Sequence, residues 1–193
     1  ILLFCIPLIF EMDEVLRLWL VNPPEHTAAL CRCVLVAYVI HKLGWGHQLA
    51  IAARGKVVGA QLILGTTAAS GVLLSWALLK LGCGVEGIGY SFIATFTVMT
   101  IERVLCARVL CGMPVLYWAA KIVAPLAIAT LCSSLAAFCV VGSLPAGIMR
   151  ILAASAASGL VLLAGLWLFV LDAPERRYAK KCIAVFRERI ARR

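Results

Sequence analysis

The sequence predicts an all-α membrane protein, a polytopic bundle of about six transmembrane helices. Hydrophobic residues make up 64% of the 193 residues and charged residues only 14%, whereas soluble domains have roughly 45–50% and about 25%. The apolar residues also fall into long runs with almost no charge, and about 20 such residues cross the hydrocarbon core of a bilayer. A water-soluble fold of this length could not enclose so much apolar surface.

The predicted spans follow one another at short intervals. They cover residues 1–10, 27–50, 57–81, 87–107, 116–142 and 151–171. Residue types that end helices and form turns separate them, at 22–24 (NPP), 54–56 (RGK), 82–84 (GCG), 112–114 (GMP) and 142–145 (GSLP). Joints this short predict that consecutive helices are antiparallel neighbours.

The first run is too short to span a bilayer and starts without methionine, which indicates the last turns of a helix whose beginning is missing. A signal peptide is the competing interpretation. It lacks a basic start, however, and ends in Glu11, Asp13 and Glu14 rather than at a small-residue cleavage site. Residues 11–21 are predicted to lie in the outer interface, where Trp19 suits the headgroup zone.

Residues 172–193 form a tail of different composition from the predicted transmembrane domain, residues 1–171. The tail carries eight Lys and Arg against three acidic residues, a net +5 of the chain's +9. Apolar residues recur in it at helical spacing, so one interpretation is a basic amphipathic helix on anionic lipid headgroups. The other is an ordinary charge cluster that follows the last span. Neither predicts a nucleic-acid partner.

Basic residues set the predicted orientation, because cytoplasmic loops carry the excess of Lys and Arg. With the C-terminus inside, 13 of the 18 basic residues, Arg103 and Arg108 among them, fall on the inner side and three, Arg17, Lys80 and Arg150, on the outer side. The remaining two, Arg32 and Lys42, lie within a span. The chain is therefore predicted to be a multi-pass protein of the cytoplasmic (inner) membrane with a cytoplasmic C-terminus.

The sequence contains few residues in patterns typical of enzymes. There is no phosphate-binding Gly-rich loop with Lys-Ser/Thr, no Gly-x-Ser-x-Gly, no His-Glu-x-x-His and no acidic cluster on the inner side. The nine cysteines are scattered through apolar runs without Cys-x-x-Cys spacing, which favours small buried hydrophobes over zinc ligands. No catalytic residue, metal site or cofactor is predicted.

Ionisable residues inside the second span are the first candidates for function, because a charge at the bilayer centre costs about 2.5–3.5 kcal/mol or more. On an ideal helix Arg32, Lys42 and His47 line one broad polar face, and His41 points the opposite way. The alternative is that Arg32 extends outward, His47 lies near the inner end, and Lys42 alone is deep.

A polar stripe in the fourth span is the second candidate, since Ser91, Thr95 and Glu102 share one helix face. Glu102 alternatively pairs with basic residues at the inner interface. Gln61 lies near the inner end of its span and is placed to bond a neighbouring helix or a substrate. The candidate substrate-binding residues are thus Arg32, Lys42, His47, Gln61 and Glu102.

Small residues recur at four-residue spacing in the last two spans. They include Ala129, Ser133 and Ala137 in one, and Ala154 and Ser158 in the other. Such rows let helices approach closely, so they predict packing rather than function.

Three stretches carry a family resemblance: 7–20 (PLIFEMDEVLRLWL), 50–65 (AIAARGKVVGAQLILG) and 82–90 (GCGVEGIGY). In this order, across about 170 residues, the chain resembles the C-terminal half of bacterial polysaccharide or lipid-linked oligosaccharide (O-antigen type) flippases. These belong to the multidrug/oligosaccharidyl-lipid/polysaccharide exporter superfamily. The resemblance implies one lobe of a MATE-like transporter, half of a protein of 12 to 14 helices around a central cavity.

The resemblance also implies a function in polysaccharide or lipopolysaccharide biosynthesis. It implies movement of lipid-linked glycan precursors across the membrane through a basic cavity, with Arg32 and Lys42 as the residues able to attract an anionic diphosphate. A MATE-type exporter of small molecules or ions predicts an acidic or aromatic cavity instead. A non-transporting scaffold subunit predicts that the intramembrane charges pair off, and a membrane enzyme ranks last.

The predicted topology has a direct test by single-cysteine labelling in a cysteine-free background. Loops 54–56 and 108–116 and the tail should be labelled only after the membrane is permeabilised, because they are predicted to be cytoplasmic. Loops 11–26, 82–86 and 142–147 should react in intact cells. Labelling of a cysteine at position 55 by an impermeant reagent in intact cells contradicts this orientation.

Overall fold

A computed structural model describes residues 1–20, 22–55, 57–172, 174–178 and 181, and all elements within them are helical. The helices are α1 (Leu2–Trp19), α2 (Thr27–Leu43), α3 (Trp45–Ala53), α4 (Val57–Lys80), α5 (Glu86–Cys111), α6 (Val115–Trp118), α7 (Ala124–Ser143) and α8 (Ile148–Gly165). A π-helical turn, Ala119–Val123, joins α6 to α7, and another, Leu166–Val170, extends α8. The predicted amphipathic tail falls mostly outside the described residues.

Within the described residues, three helical segments are long and apolar enough to cross a membrane: Val57–Lys80, Val115–Ser143 and Ile148–Val170. The pair α2 and α3, bent by 40° between them, makes a fourth if it forms one broken span. The predicted spans 1–10 and 87–107 lie in α1 and α5. Those helices are more polar, since each contains four charged residues. The predicted all-helical class is therefore confirmed, with three or four candidate spans.

The helices form an open series of contacts. In this series α4 packs on α5, α5 on α2 and α3, α2 on α1, and α1 on the pair α7 and α8. Consecutive helices are neighbours in α1/α2, α4/α5 and α7/α8, as short loops predict. The prediction is wrong for α4, which does not pack along α2, and for α7, which does not pack along α5, because α5 packs on α2 and α1 packs on α7 and α8 instead. Many large apolar side chains remain exposed, for example Leu62 and Val72 of α4 and Leu160 of α8. Lipid is the solvent that such a surface suits.

The segment after residue 10 continues α1. Residues 11–19 are the second limb of this helix, and the bend between the limbs lies at Glu11, whose φ of −101° and ψ of 16° are not helical. The Glu11 side chain is completely buried and pairs with Arg150 in the first turn of α8. Arg150 Nη2 donates to Glu11 Oε2 at 2.8 Å, and Nε lies 2.8 Å from Oε1 without hydrogen-bond alignment.

Close packing between α7 and α8 confirms the small-residue rows. The side chains of Ser133 and Ser158 are buried, and the Ser133 hydroxyl donates to the Ser158 carbonyl at 2.7 Å. Ala129 and Ala137 are also buried and join a core with Ile6 of α1. A hydroxyl donating to a carbonyl across two helices requires that their backbones lie close together, which these small side chains permit.

The prediction that the cysteines are buried hydrophobes is wrong for part of the set. Of the eight described cysteines only Cys5 is buried, and three are exposed: Cys83, Cys132 and Cys139. Hydropathy places a cysteine in an apolar run but does not tell which face of the helix meets a neighbour.

The buried Glu11–Arg150 pair should dominate the stability of the α1/α8 contact. Because Glu11→Ala leaves the Arg150 guanidinium without its buried carboxylate partner, it should lower the free energy of unfolding by more than the loss of an exposed ion pair does. Glu14→Ala is the matched control, since Glu14 pairs with the largely exposed Arg17 and such pairs contribute about 0–1 kcal/mol. Denaturant unfolding in detergent micelles measures both, and equal effects of the two substitutions would contradict the buried pair.

Candidate functional site

A cavity of about 610 Å³ lies between α1, α2, α7 and α8. Its lining is apolar, with contributions from Leu3 of α1, Val39 and Leu43 of α2, Leu126 of α7 and Leu162 of α8. Lys42 supplies the only ionisable side chain among the lining residues. An apolar enclosure with one or two well-placed polar groups is the usual composition of a small-molecule site.

The position of the cavity along the bundle follows from its lining residues. Val123 lies two residues after Lys121, and Leu166 six residues before Asp172. Lys121 and Asp172 form an ion pair at 3.0 Å. At about 1.5 Å per residue the cavity therefore begins within about 9 Å of this pair. Residues 112–114, in a loop that the sequence predicts to be cytoplasmic, precede Lys121 by seven residues and so lie near the same end of the bundle.

Two aromatic rings contact the ammonium of Lys42, and neither ring is among the residues that line the cavity. Its Nζ lies 4.2 Å from the ring centroid of Trp45 and 4.8 Å from that of Tyr38. Both rings are about half exposed, at 47% and 43%. No carboxylate of the described residues lies within 4 Å of this ammonium. Cation–π attraction thus takes the place of a counter-ion. The spacing of residues 38, 42 and 45, which places two aromatic side chains within reach of a lysine on one helix face, carries this signal in the sequence.

Arg32, the second predicted basic residue, lies away from the cavity. Its Nε donates to the Ile9 carbonyl at 2.8 Å, and its Nη2 donates to Asp13 at 2.5 Å. These bonds tie α2 to α1. Ten residues separate Arg32 from Lys42 along α2, which corresponds to about 15 Å. The guanidinium is therefore occupied by an ion pair near the opposite end of α2.

His47 is buried on α3, beyond the bend. Its ring packs edge-to-face on Trp118, with centroids 4.7 Å apart, and neither ring nitrogen has a hydrogen-bond partner among the described residues. The ideal helix that placed His47 beside Arg32 does not continue through the 40° bend. The structure consequently separates His47 from the Lys42 cavity.

The polar stripe of α5 packs against α4. Ser91 shares a hydrogen bond of 2.5 Å with Ser75, and Glu102 accepts one of 2.5 Å from the Thr67 hydroxyl. Between them, Thr95 lies so close to Gly71 that a Cβ there would meet its hydroxyl at 2.6 Å. A small cavity of about 200 Å³ follows this seam. The stripe therefore forms one face, as predicted, and it lies within the α4/α5 contact.

Gln61 lies on the exposed surface of α4, away from the other candidates. The five predicted site residues thus have separate neighbours. Lys42 alone lines the cavity between α1, α2, α7 and α8.

Arg103, one of the basic residues predicted on the inner side, is buried in α5, eight residues before the helix ends. Its Nη1 donates to the His41 carbonyl at 3.2 Å and lies 3.2 Å from His41 Nδ1, while Thr100 donates to the Ile40 carbonyl at 3.0 Å. The bend at Gly44 releases these carbonyls from helical bonding, and a cation at a helix C-terminus is favourable.

No protein-family model, curated protein or solved structure matches this chain. The family resemblance consequently rests on the three sequence stretches alone. Any functional assignment therefore depends on the chemistry of the Lys42 cavity.

The hydrogen bond from Arg103 to the His41 carbonyl should stabilise the C-terminal turn of α2 against local unfolding. Arg103→Gln removes a charged donor from two acceptors of His41 and should speed amide exchange in a peptide covering residues 38–50 by at least about tenfold, since hydrogen bonds to charged groups contribute about 1.5–3 kcal/mol. Arg108→Gln, at an exposed position of the same helix, should leave that exchange unchanged. Hydrogen–deuterium exchange in micelles measures both. Unaltered exchange in Arg103→Gln would show that this hydrogen bond does not stabilise that turn.

Proposed function

We propose that the chain is part of a membrane transporter that moves lipid-linked oligosaccharide or polysaccharide precursors across the cytoplasmic membrane. The observation that carries the proposal is that Lys42 is the only ionisable side chain among the residues lining a largely apolar cavity. A lipid-linked glycan joins a long hydrocarbon chain to a diphosphate. The apolar lining suits the chain, and the ammonium suits the phosphate.

The volume of the cavity is large enough for only part of such a substrate. About 610 Å³ is within the range of about 300–1,000 Å³ for small-molecule sites, which accommodates part of a prenyl chain but not a glycan as well. The phosphate would then lie at the rim beside Lys42, and the sugars outside. The nearby Lys121–Asp172 end, predicted to be cytoplasmic, is where a substrate made inside the cell would enter.

We further propose that α1 and α5 also cross the membrane, which gives six spans and one MATE-like lobe with the C-terminus inside. Their charges argue against a lipid-exposed position but not against a position within the bundle. Glu11 of α1 is neutralised by Arg150, and Arg103 of α5 bonds the carbonyl end of α2. Intramembrane charges are tolerated where they face the bundle interior and find such partners.

Two alternatives make different use of the same charges. A cation exporter would need a carboxylate in its cavity, whereas Glu102 lies in the α4/α5 seam, bonded to Thr67. A scaffold without a substrate is favoured by the pairing of Arg32 with Asp13 and of Arg150 with Glu11. Lys42 is the residue that separates the scaffold from the transporter, because its ammonium has no carboxylate partner among the described residues.

Substitution of Lys42 tests the proposal in proteoliposomes that contain the full-length protein. Lys42→Ala should abolish translocation of a fluorescent polyprenyl-diphosphate-linked sugar, because the cavity loses its only charge, and Lys42→Arg should retain part of it. Lys80→Ala is the matched control, an exposed lysine at the end of α4. Its translocation rate should equal that of the unaltered protein.

The membrane abundance of every variant must be equal for the comparison to hold. Normal translocation by Lys42→Ala at that abundance would make Lys42 a structural residue and overturn the proposal. So would a Lys42→Ala protein that is more stable and translocates unchanged, since that is the behaviour of a scaffold.

A further inference from the structure

We infer that Tyr38 and Trp45 are positioning residues, which hold the Lys42 ammonium at the mouth of the cavity so that it meets the phosphate of an anionic lipid there. The inference rests on the proposed function. It adds that recognition of the headgroup charge depends on two aromatic rings that do not line the cavity.

Without the two rings, the Lys42 side chain would be free to change its conformation. Its flexible four-carbon stem lets an ammonium in an apolar region extend toward the nearest water, and the Lys121–Asp172 end of the bundle lies within about 9 Å of the cavity. The two rings supply an attraction that competes with this escape. Each exposed cation–π contact contributes about 0.5–1 kcal/mol, and more when it is desolvated.

An ammonium that contacts aromatic rings instead of a carboxylate remains available to bind an anion. Lys42 donates no hydrogen bond to any group in the described part of the chain, and no described carboxylate neutralises it. By contrast, Arg32 and Lys121 are bound to Asp13 and Asp172. Ring faces do not neutralise a cation as a carboxylate does, so the positive charge of Lys42 and the N–H groups that do not face the rings remain for phosphate oxygens.

The two rings lie on opposite sides of the bend between α2 and α3. Trp45 is the first residue of α3, while Tyr38 and Lys42 belong to α2, and Gly44 separates the two helices. The ring pair therefore spans the break. The α5 cap on the carbonyls of Ile40 and His41 fixes the same turn from the other side.

A competing role for the rings is anchorage in the headgroup zone, where Trp and Tyr are enriched. Anchorage acts on the whole protein and does not discriminate between ligands. Positioning of Lys42 acts only on a ligand that carries negative charge, and only while Lys42 is present. A comparison of a charged with an uncharged ligand, combined with a double-mutant cycle, separates the two roles.

The experiment measures binding of a polyprenyl monophosphate and of the matching polyprenol to the purified full-length protein in micelles. Trp45→Leu and Tyr38→Leu should each weaken phosphate binding about three- to tenfold and leave polyprenol binding unchanged. Trp45→Phe should retain most of the affinity, because a ring face remains. Trp76→Leu, which removes an exposed tryptophan of α4, should change neither affinity.

The double-mutant cycle supplies the decisive comparison. In a Lys42→Ala background, where phosphate binding is already weakened, the ring substitutions should have no further effect. Equal losses for phosphate and polyprenol, or a ring effect that persists without Lys42, would overturn the positioning role. Weakened phosphate binding in Lys42→Ala beside unaltered binding in both ring variants would overturn it while leaving the proposed function intact. Unaltered phosphate binding in Lys42→Ala itself would instead refute the proposed function.

Discussion

Neutralisation of charge within the bundle is the constraint on which the structure depends, because hydrocarbon offers a buried ion neither water nor counter-ions. The Glu11–Arg150 pair shows the strongest form of it, with a completely buried carboxylate at a bend in α1. Arg32 and Asp13 repeat the pattern between α2 and α1. These pairs join helices that are distant in sequence, and they hold α1 between α2 on one side and α8 on the other.

Where no carboxylate is present, the bundle supplies other acceptors. The bend at Gly44 exposes carbonyls at the end of α2, and Arg103 of α5 bonds one of them while it contacts the His41 ring. His41 and Lys42 are adjacent in α2, and His41 contacts Arg103 of α5 while Lys42 lines the cavity. The break in the helix thus supplies an acceptor to a buried guanidinium one residue away from the lysine of the cavity. Gly44 suits the break because a Cβ there would lie 3.3 Å from the Arg103 side chain.

The sequence predicted those features that depend on one helix at a time. The span predicted at 57–81 is α4 (Val57–Lys80), and the stripe of Ser91, Thr95 and Glu102 does share one face. Features that depend on two helices were missed. Hydropathy is continuous through 27–50, so it conceals the break at Gly44 and with it the displacement of His47. A count of loop charges likewise has no means of finding that Arg103 is buried against the end of another helix.

The same limit applies to the candidate site. Polar residues in apolar runs are costly in a membrane, and on that ground five of them are candidates for substrate binding. For Arg32 and Glu102 the structure shows hydrogen-bond partners on other helices, which offset that cost without a substrate. Only the tertiary arrangement shows that Lys42 alone combines an open ammonium with a cavity. The aromatic neighbours at positions 38 and 45 were readable from the spacing, since side chains three and four residues apart share a helix face.

The central claim is that the Lys42 ammonium is the anion-binding group of an apolar cavity, and its chemical reactivity tests that claim without any substitution. Membranes that contain the full-length protein would be treated with an amine-acylating reagent, and modification of Lys42, Lys80 and Lys121 followed by mass spectrometry. The account predicts that a polyprenyl phosphate slows modification of Lys42 alone and that the matching polyprenol does not. Equal protection by both ligands, or modification of Lys42 that neither ligand changes, would contradict it.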